Sequence, residues 1–287
     1  MNDRTKEMLA SLEDGISKLA DSGEWQRYLA TMAKFHRYSF GNVMLILFQN
    51  PDATQVMGFG NKAGTSGWKS LGRSVKKGEH AIWILAPMTR SETDEDTGAK
   101  SQVVFGWKTV PVFDVSQTEG APLPEVTRCL DGQDPDGLFG QLADAALALG
   151  VASVADADLG QANGVTHKDG RIEIHPDRSP LHRAKTLAHE IAHWQLGHLA
   201  DGNKSGRGLC ELEAESVAYA VMGSLGFDSG DYSFGYVAGW AEDAEKAKDG
   251  IRASAGRIQK AVTAILGELG KAAAADGSER ELAAVAA

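Results

Sequence analysis

Met8, Leu9, Leu12, Ile16 and Leu19 recur at helical spacing and predict an amphipathic helix over 4–22. A second helix is expected over about 24–36, after the Asp21–Ser22–Gly23 break. A third, apolar helix over Val43–Gln49 is stopped by Asn50–Pro51. The period then shortens. Val56–Phe59, His80–Pro87 and Val103–Phe113 read as strands, the last as one long strand or a pair. A short turn or helix is expected at Trp68–Arg73, and a polar loop or hairpin tip over 89–102. Prolines, Gly and Asp cluster near 121–136 and mark a linker. Beyond it the pattern predicts a helix over about 137–149, a short strand near 151–154 and the alternating strand Arg171–His175. Ser179–Pro180 reads as an N-cap with proline at the first helical position. From there Leu181, Ala184, Leu187, Ala188, Ile191, Ala192 and Leu196 carry a helix to Gly197. Another helix spans Leu209–Leu225, and after the loop Gly226–Gly239 two more are expected, roughly 239–249 and 251–270. The Ala-rich, polar tail from Lys271 reads as disordered. The expected fold class is α+β in two domains, 1–120 and 137–270, joined by the 121–136 linker and followed by a 271–287 tail.

Composition adds bounds. Apolar residues make up 43% of 287 positions, as in ordinary soluble globular chains. No run approaches 18 apolar residues, so no membrane span is expected, and the N-terminus is charged, without an apolar signal core. Two cysteines, Cys129 and Cys210, offer neither a disulfide framework nor a CxxC zinc site, which suits a reducing cytoplasm.

The chemistry concentrates in His189–Glu190–Ile191–Ala192–His193, an HExxH motif. On a helix the two histidines lie one turn apart on one face, so both imidazoles reach one metal ion, and Glu190 is placed to take a proton from its bound water. Catalytic zinc usually has three protein ligands and keeps a fourth position for water. The metzincin pattern would need glycine and histidine where Leu196 and Leu199 stand, so that class is rejected; Gly197 and His198 are each off by one. Glu211 and Glu215 share a face of the next helix at i, i+4. Glu211 is read as the third ligand and Glu215 as a carboxylate holding a ligand histidine from behind. Cys210 reads as a buried structural thiol rather than a soft ligand. Zinc is the expected ion, with manganese the alternative.

The net charge of −10 hides an asymmetry. Residues 25–90 carry nine basic side chains against Asp52 and Glu79, a surplus of seven that leaves the remainder at −17. The same stretch holds nine of the twenty aromatics. Cations that track a backbone, mixed with rings on which bases stack, are the ingredients of single-strand binding. Trp25, Phe35, Phe48 and Phe59 sit in apolar periodicity and read as core. Tyr38, Phe40 and Trp68 lie at turns beside Arg37, Asn42, Lys69 and Arg73, and with Lys76 and Lys77 they form the expected DNA-binding set.

The stretches Tyr38–Ser39–Phe40–Gly41–Asn42, Gln49–Asn50–Pro51–Asp52–Ala53–Thr54, Trp68–Lys69–Ser70–Leu71–Gly72–Arg73 and Lys77–Gly78–Glu79 resemble the N-terminal domain of ArdC-like antirestriction proteins. Val112–Phe113–Asp114–Val115–Ser116–Gln117–Thr118 looks like the end of that domain. The second half, with His189, His193 and Glu211–Leu212–Glu213–Ala214–Glu215, is similar to the ImmA/IrrE-type zinc metallopeptidases fused to it. The resemblance implies a plasmid- or phage-borne protein with an N-terminal α/β domain that binds single-stranded DNA and a C-terminal zincin-like domain, protecting incoming DNA from restriction. Its protein substrate stays open, with a restriction component as one candidate. Two other roles remain open too: a protease for which DNA is a localiser, and a DNA-binding shield whose peptidase is vestigial.

Overall fold

The structure, a computed structural model, describes residues 3–19, 22–60, 67–93, 100–123, 135–200, 205–227 and 244–285. In chain order, α1 (Asp3–Lys18), α2 (Ser22–Phe35) and α3 (Phe40–Gln49) precede β1 (Val56–Met57) and a 3-10 turn at Trp68–Leu71. β2 (Arg73–Val75), β3 (Ile82–Thr93), β4 (Lys100–Asp114) and β5 (Thr118–Gly120) follow. The second half holds α4 (Pro135–Ala148), β6 (Ser153–Asp156), β7 (Gly164–Thr166), β8 (Arg171–Ile174), α5 (Pro180–Gln195), α6 (Arg207–Ser224) and α7 (Ala244–Val285). The mixture is α+β, and the chain divides into two compact units, 1–19 with 38–125 and 20–37 with 126–287.

In the first unit β3 and β4 pair antiparallel as one long hairpin, and β1 adds to the other side of β4. Both strands run further toward the tip than expected, to Thr93 and from Lys100. β3 is therefore an edge, with backbone groups that need partners. Helix α3 supplies them. Asn42 Nδ2 donates to the Leu85 carbonyl and its Oδ1 accepts the Leu85 N–H, both at 2.9 Å. Two turns on, Gln49 Nε2 donates to the Trp83 carbonyl at 2.8 Å and its Oε1 accepts the Trp83 N–H at 2.9 Å. Met8 of α1, Leu45 of α3 and Leu85 pack beneath that seam, with Leu9 and Trp83 against them.

At the end of β4 the Asp114 carboxylate, on a residue only 1% exposed, accepts the N–H groups of Thr54, Gln55 and Ser116 and the Ser116 hydroxyl. Burial alone would raise its pKa, but these bonds outweigh it and hold the carboxyl below its ordinary value.

The second unit contains a three-stranded sheet, β6–β8–β7, with β6 parallel and β7 antiparallel to β8. Helix α2 belongs here, a departure from a continuous 1–120 domain. Its buried stripe of Trp25, Tyr28, Leu29 and Met32 needs an apolar partner, and α6 provides it. Trp25 Nε1 donates to Ser216 Oγ at 3.1 Å, and Ser224 Oγ donates to the Ala33 carbonyl at 2.7 Å. A helical stripe in a sequence shows that a face is buried, not what buries it. Helix α7 is a single element where two helices and a disordered tail were expected. Gly250 sits inside it at a cost of about 1 kcal/mol, offset by the buried row Ile251, Ala255, Ile258, Val262, Ile265 and Leu269. Most of the 121–136 linker and of the Gly226–Gly239 loop lies outside the described residues. Among the described residues no helix is long and apolar enough to cross a membrane.

Asp114→Ala should destabilise the first unit by about 3–5 kcal/mol, since hydrogen bonds to a charged group contribute roughly 1.5–3 kcal/mol each and removal strands their donors. The pH dependence has a definite sign. A carboxyl depressed in the fold contributes stability above its unfolded value of about 4, and loses it as pH falls through the depressed folded value. Denaturant titrations at pH 7 and pH 3 check both statements: the wild type should lose more stability between them than Asp114→Asn does.

Candidate metal centre and nucleic-acid surface

Helix α5 starts as expected, with Pro180 in its first turn and Ser179 Oγ accepting the His182 N–H at 3.4 Å. It ends at Gly197, whose φ of +68° suits glycine. There the Gly197 N–H bonds to the Trp194 carbonyl and the His198 N–H folds back to the His193 carbonyl, both at 3.1 Å. Between these ends His189 and His193 lie one turn apart. Their Nε2 atoms come within 3.0 Å of each other, and Glu211 Oε2 from α6 lies 3.4 Å and 3.8 Å from them. The three donors all fall within 4.8 Å of one another, a set that could hold a metal ion. Glu215 Oε2 stands 3.0 Å from His189 Nδ1, behind the imidazole.

The electrostatics fit a cation. Burial lowers the pKa of His189, but the Glu211 and Glu215 carboxylates override it and push it up to about 9. The same imidazoles hold Glu211 far below the usual carboxylate range. An ion bound at this point would replace the proton the cluster otherwise attracts, with both imidazoles neutral.

Glu190 is 8% exposed, and its Oε2 lies 2.7 Å from the hydroxyl of Thr166 on β7. This close approach depends on Gly164: a Cβ there would come within 2.6 Å of Thr186 Cγ2 and 2.9 Å of Glu190 Cγ. Neither Gly164 nor Thr166 is singled out by the sequence reading, because each acts across the fold on a residue more than twenty positions away. A cleft of about 630 Å3 opens over the cluster, walled by β7 on one side and by His182, Lys185, Arg207 and Glu211 around its rim. Sequence adjacency favours Arg171–His175 as the strand flanking the cleft. The sheet order reverses that: β8 is paired on both sides, and β7 is the edge strand that lines the cleft. His175 is buried at the end of β8, with its Nδ1 on the Asp177 N–H, away from the cleft lining. Tyr232 and Tyr236, whose hydroxyls are of a kind that could steady an oxyanion, lie outside the described residues, as does Cys129. Cys210 is buried, as a structural thiol would be.

The nine residues of the expected DNA-binding set have unlike fates. Trp68 is 1% exposed and its Nε1 donates to the Phe113 carbonyl at 2.8 Å, so it cannot stack on a base. Asn42 is committed to β3. The Tyr38 hydroxyl donates to the Val56 carbonyl at 2.8 Å, and Phe40 is half-buried in the first turn of α3. Arg73 spends its guanidinium on Thr118 Oγ1, the Thr118 carbonyl and the Ala121 carbonyl, tying β2 to β5. Arg37 is exposed but belongs to the second unit. Lys69, Lys76 and Lys77 are exposed on the first unit, with Lys76 Nζ on the Ser116 carbonyl at 2.7 Å. Exposed rings do occur there, outside the expected set. Phe48 is 41% exposed, although its periodicity reads as core; on β4, Phe105 and Trp107 are 56% and 44% exposed. The β3–β4 register slips between Met88 and Thr89, leaving Phe105 as the extra residue of a bulge beside Gly106. The Phe–Gly–Trp run inside a strand was the signal available in the sequence.

Comparison with known proteins bears on both units. The family model described as the N-terminal domain of anti-restriction factor ArdC matches residues 1–114. The model described as the IrrE N-terminal-like domain matches 152–222, which contains the HExxH helix and α6. No curated protein sequence is a significant match. The chain is similar in fold to the crystal structure of the antirestriction ArdC protein from plasmid R388 in its metal-free form, at 22% identity and a TM-score of 0.50, over 82% of this chain and 86% of that one. A second structure of that protein, described as Mn(II)-bound, aligns at 21% identity and a TM-score of 0.48, over 81% and 85%. With an ArdC-type domain in its first half and an IrrE-like domain in its second, the chain is an ArdC-like two-domain protein.

Proposed function

We propose that the second unit is a metal-dependent peptidase and that the first binds single-stranded DNA, the two together protecting incoming DNA from restriction. The observation that carries the peptidase reading is the convergence of His189 Nε2, His193 Nε2 and Glu211 Oε2 beside Glu190 on one wall of a cleft. Zinc, or manganese in its place, would supply Lewis acidity and a water acidified to a pKa of about 7. Glu190 takes the proton of the attacking water and returns it to the leaving amine. Thr166 fixes that carboxylate, and Glu215 fixes His189. An extended peptide pairs with the open edge of β7, which carries its scissile carbonyl across the cleft. The preorganisation of Glu190 argues against a vestigial site, where no base would need to be held.

Metal titration tests the roles. His189→Ala and His193→Ala should abolish stoichiometric binding, and Glu211→Ala should reduce it sharply. Glu215→Ala should weaken it by about 10–100-fold, whereas Glu190→Ala should keep it and lose peptide hydrolysis by roughly 100- to 10,000-fold. Loss of metal from Glu190→Ala with retention in His193→Ala would overturn the assignment.

Support for DNA binding is the basic surplus of residues 25–90, the exposed Lys69, Lys76 and Lys77, and the exposed rings of Phe105 and Trp107. The test uses the whole chain, because a cut at 120 would strip α2 from the second unit. Three phosphate contacts would give log K against log salt a slope of about −2 on a single strand. Replacing Lys76 and Lys77 with alanine should flatten it. Trp107→Ala should weaken binding by roughly 1–3 kcal/mol with the slope unchanged, since stacking releases no counterions. Equal affinity for single strand and duplex would end this reading.

A further inference from the structure

His198 misses the metzincin position by one residue and is not among the converging donors, yet its side chain is only 4% exposed. The left-handed turn at Gly197 brings it back beside His193, where the two Nδ1 atoms lie 2.9 Å apart. The other nitrogen of His198, Nε2, lies 3.0 Å from Glu213 Oε2. Glu213 is 1% exposed at its side chain, a costly place for a carboxylate without partners. Its partner is Arg257 on α7, whose Nη2 donates to Glu213 Oε1 and whose Nε reaches Oε2 at 3.4 Å. Arg257 lies beyond residue 222, where the IrrE-like match ends.

The protons along this chain can be placed in one consistent way. If His193 presents Nε2 to a cation, that nitrogen must keep its lone pair, so Nδ1 carries the hydrogen and donates to His198 Nδ1. A neutral His198 that accepts at Nδ1 carries its hydrogen on Nε2 and donates it to Glu213. The carboxylate accepts from His198 and from the guanidinium, and each contact uses one proton. The two ligand histidines are thus backed differently. His189 rests directly on the Glu215 carboxylate, whereas His193 rests on an imidazole, a buried carboxylate and an arginine in series.

We propose that His198, Glu213 and Arg257 are positioning residues for His193, and that through them the docking of α7 and the binding of the metal are coupled. This rests on His193 being a ligand. The chain fixes the tautomer and ring angle of His193, as partners behind a ligand histidine do. Because coupling is reciprocal, whatever α7 contributes to metal affinity the metal returns to α7 as resistance to opening.

The test is Zn2+ affinity, read by competition with a chromophoric chelator on the full chain, with folding of each variant confirmed by circular dichroism. His198→Phe, which can neither accept nor donate, should lower affinity by about 10–100-fold. His198→Asn, whose Oδ1 can replace the Nδ1 acceptor, should recover part of the loss. Arg257→Met should lower affinity and Arg257→Lys should largely restore it, a rescue that a mere packing role for the long side chain would not require. His193→Ala serves as reference: if it retains Zn2+, the metal-site reading itself has failed. If His193→Ala loses Zn2+ while folded His198→Phe and Arg257→Met bind as the wild type does, the positioning chain alone is overturned. Should those variants not fold, amide hydrogen exchange on the wild type decides. Zn2+ should slow exchange over residues 252–260 of α7, and unchanged exchange there overturns the coupling.

Discussion

An imidazole that faces a metal has one nitrogen left, and that nitrogen must be held or the ring will not keep the tautomer and angle the metal needs. On the proposed metal-site reading, much of the second unit can be understood as the response to this constraint applied twice. His189 is met by Glu215 at 3.0 Å. His193 lies near the end of α5, where the chain must turn, and the turn itself delivers His198. Gly197 is thus more than a helix stop, since its positive φ sets the position of the next side chain. Helix α6 serves both histidines from one short run. Glu211 and Glu215 share a face toward the cluster, and Glu213, off that face, anchors His198 and Arg257.

The proposed general base obeys a different constraint, that of approach. Glu190 points toward a sheet edge rather than toward α6, and the edge can come near only because Gly164 lacks a Cβ. The strand that lines the cleft therefore has a small residue opposite the base and a hydroxyl, Thr166, two residues on to hold it. Period-2 spacing puts both on one side of β7, and the sheet order leaves the outer edge of β7 unpaired among the described residues.

In the first unit the pressing requirement is backbone satisfaction. β3 is an edge strand, and amide side chains at two positions on one face of α3 close it off. Arg73 does the same for the carbonyls of Thr118 and Ala121, and Trp68 for that of Phe113. Polar and aromatic residues near turns look alike in sequence whether they serve a ligand or the backbone. Here most serve the backbone, and two exposed rings, Phe105 and Trp107, lie on the bulged part of the long hairpin.

Sequence by itself determined whatever depends on short-range spacing. The HExxH pair fixes two imidazoles on one helix face, the i, i+4 pair on α6 fixes two carboxylates, and Ser179–Pro180 and Gly197 mark where α5 begins and ends. Both the α+β class and the convergence of His189, His193, Glu211 and Glu215 were legible for that reason. Tertiary structure decided everything that depends on which faces meet. It assigned the stripe of α2 to the second unit, made β7 rather than β8 the cleft strand, buried Trp68, and brought Arg257 to a carboxylate forty-four positions away. Periodicity says that a face must be covered and a charge must be paired; the partner is chosen by the packing of the whole chain.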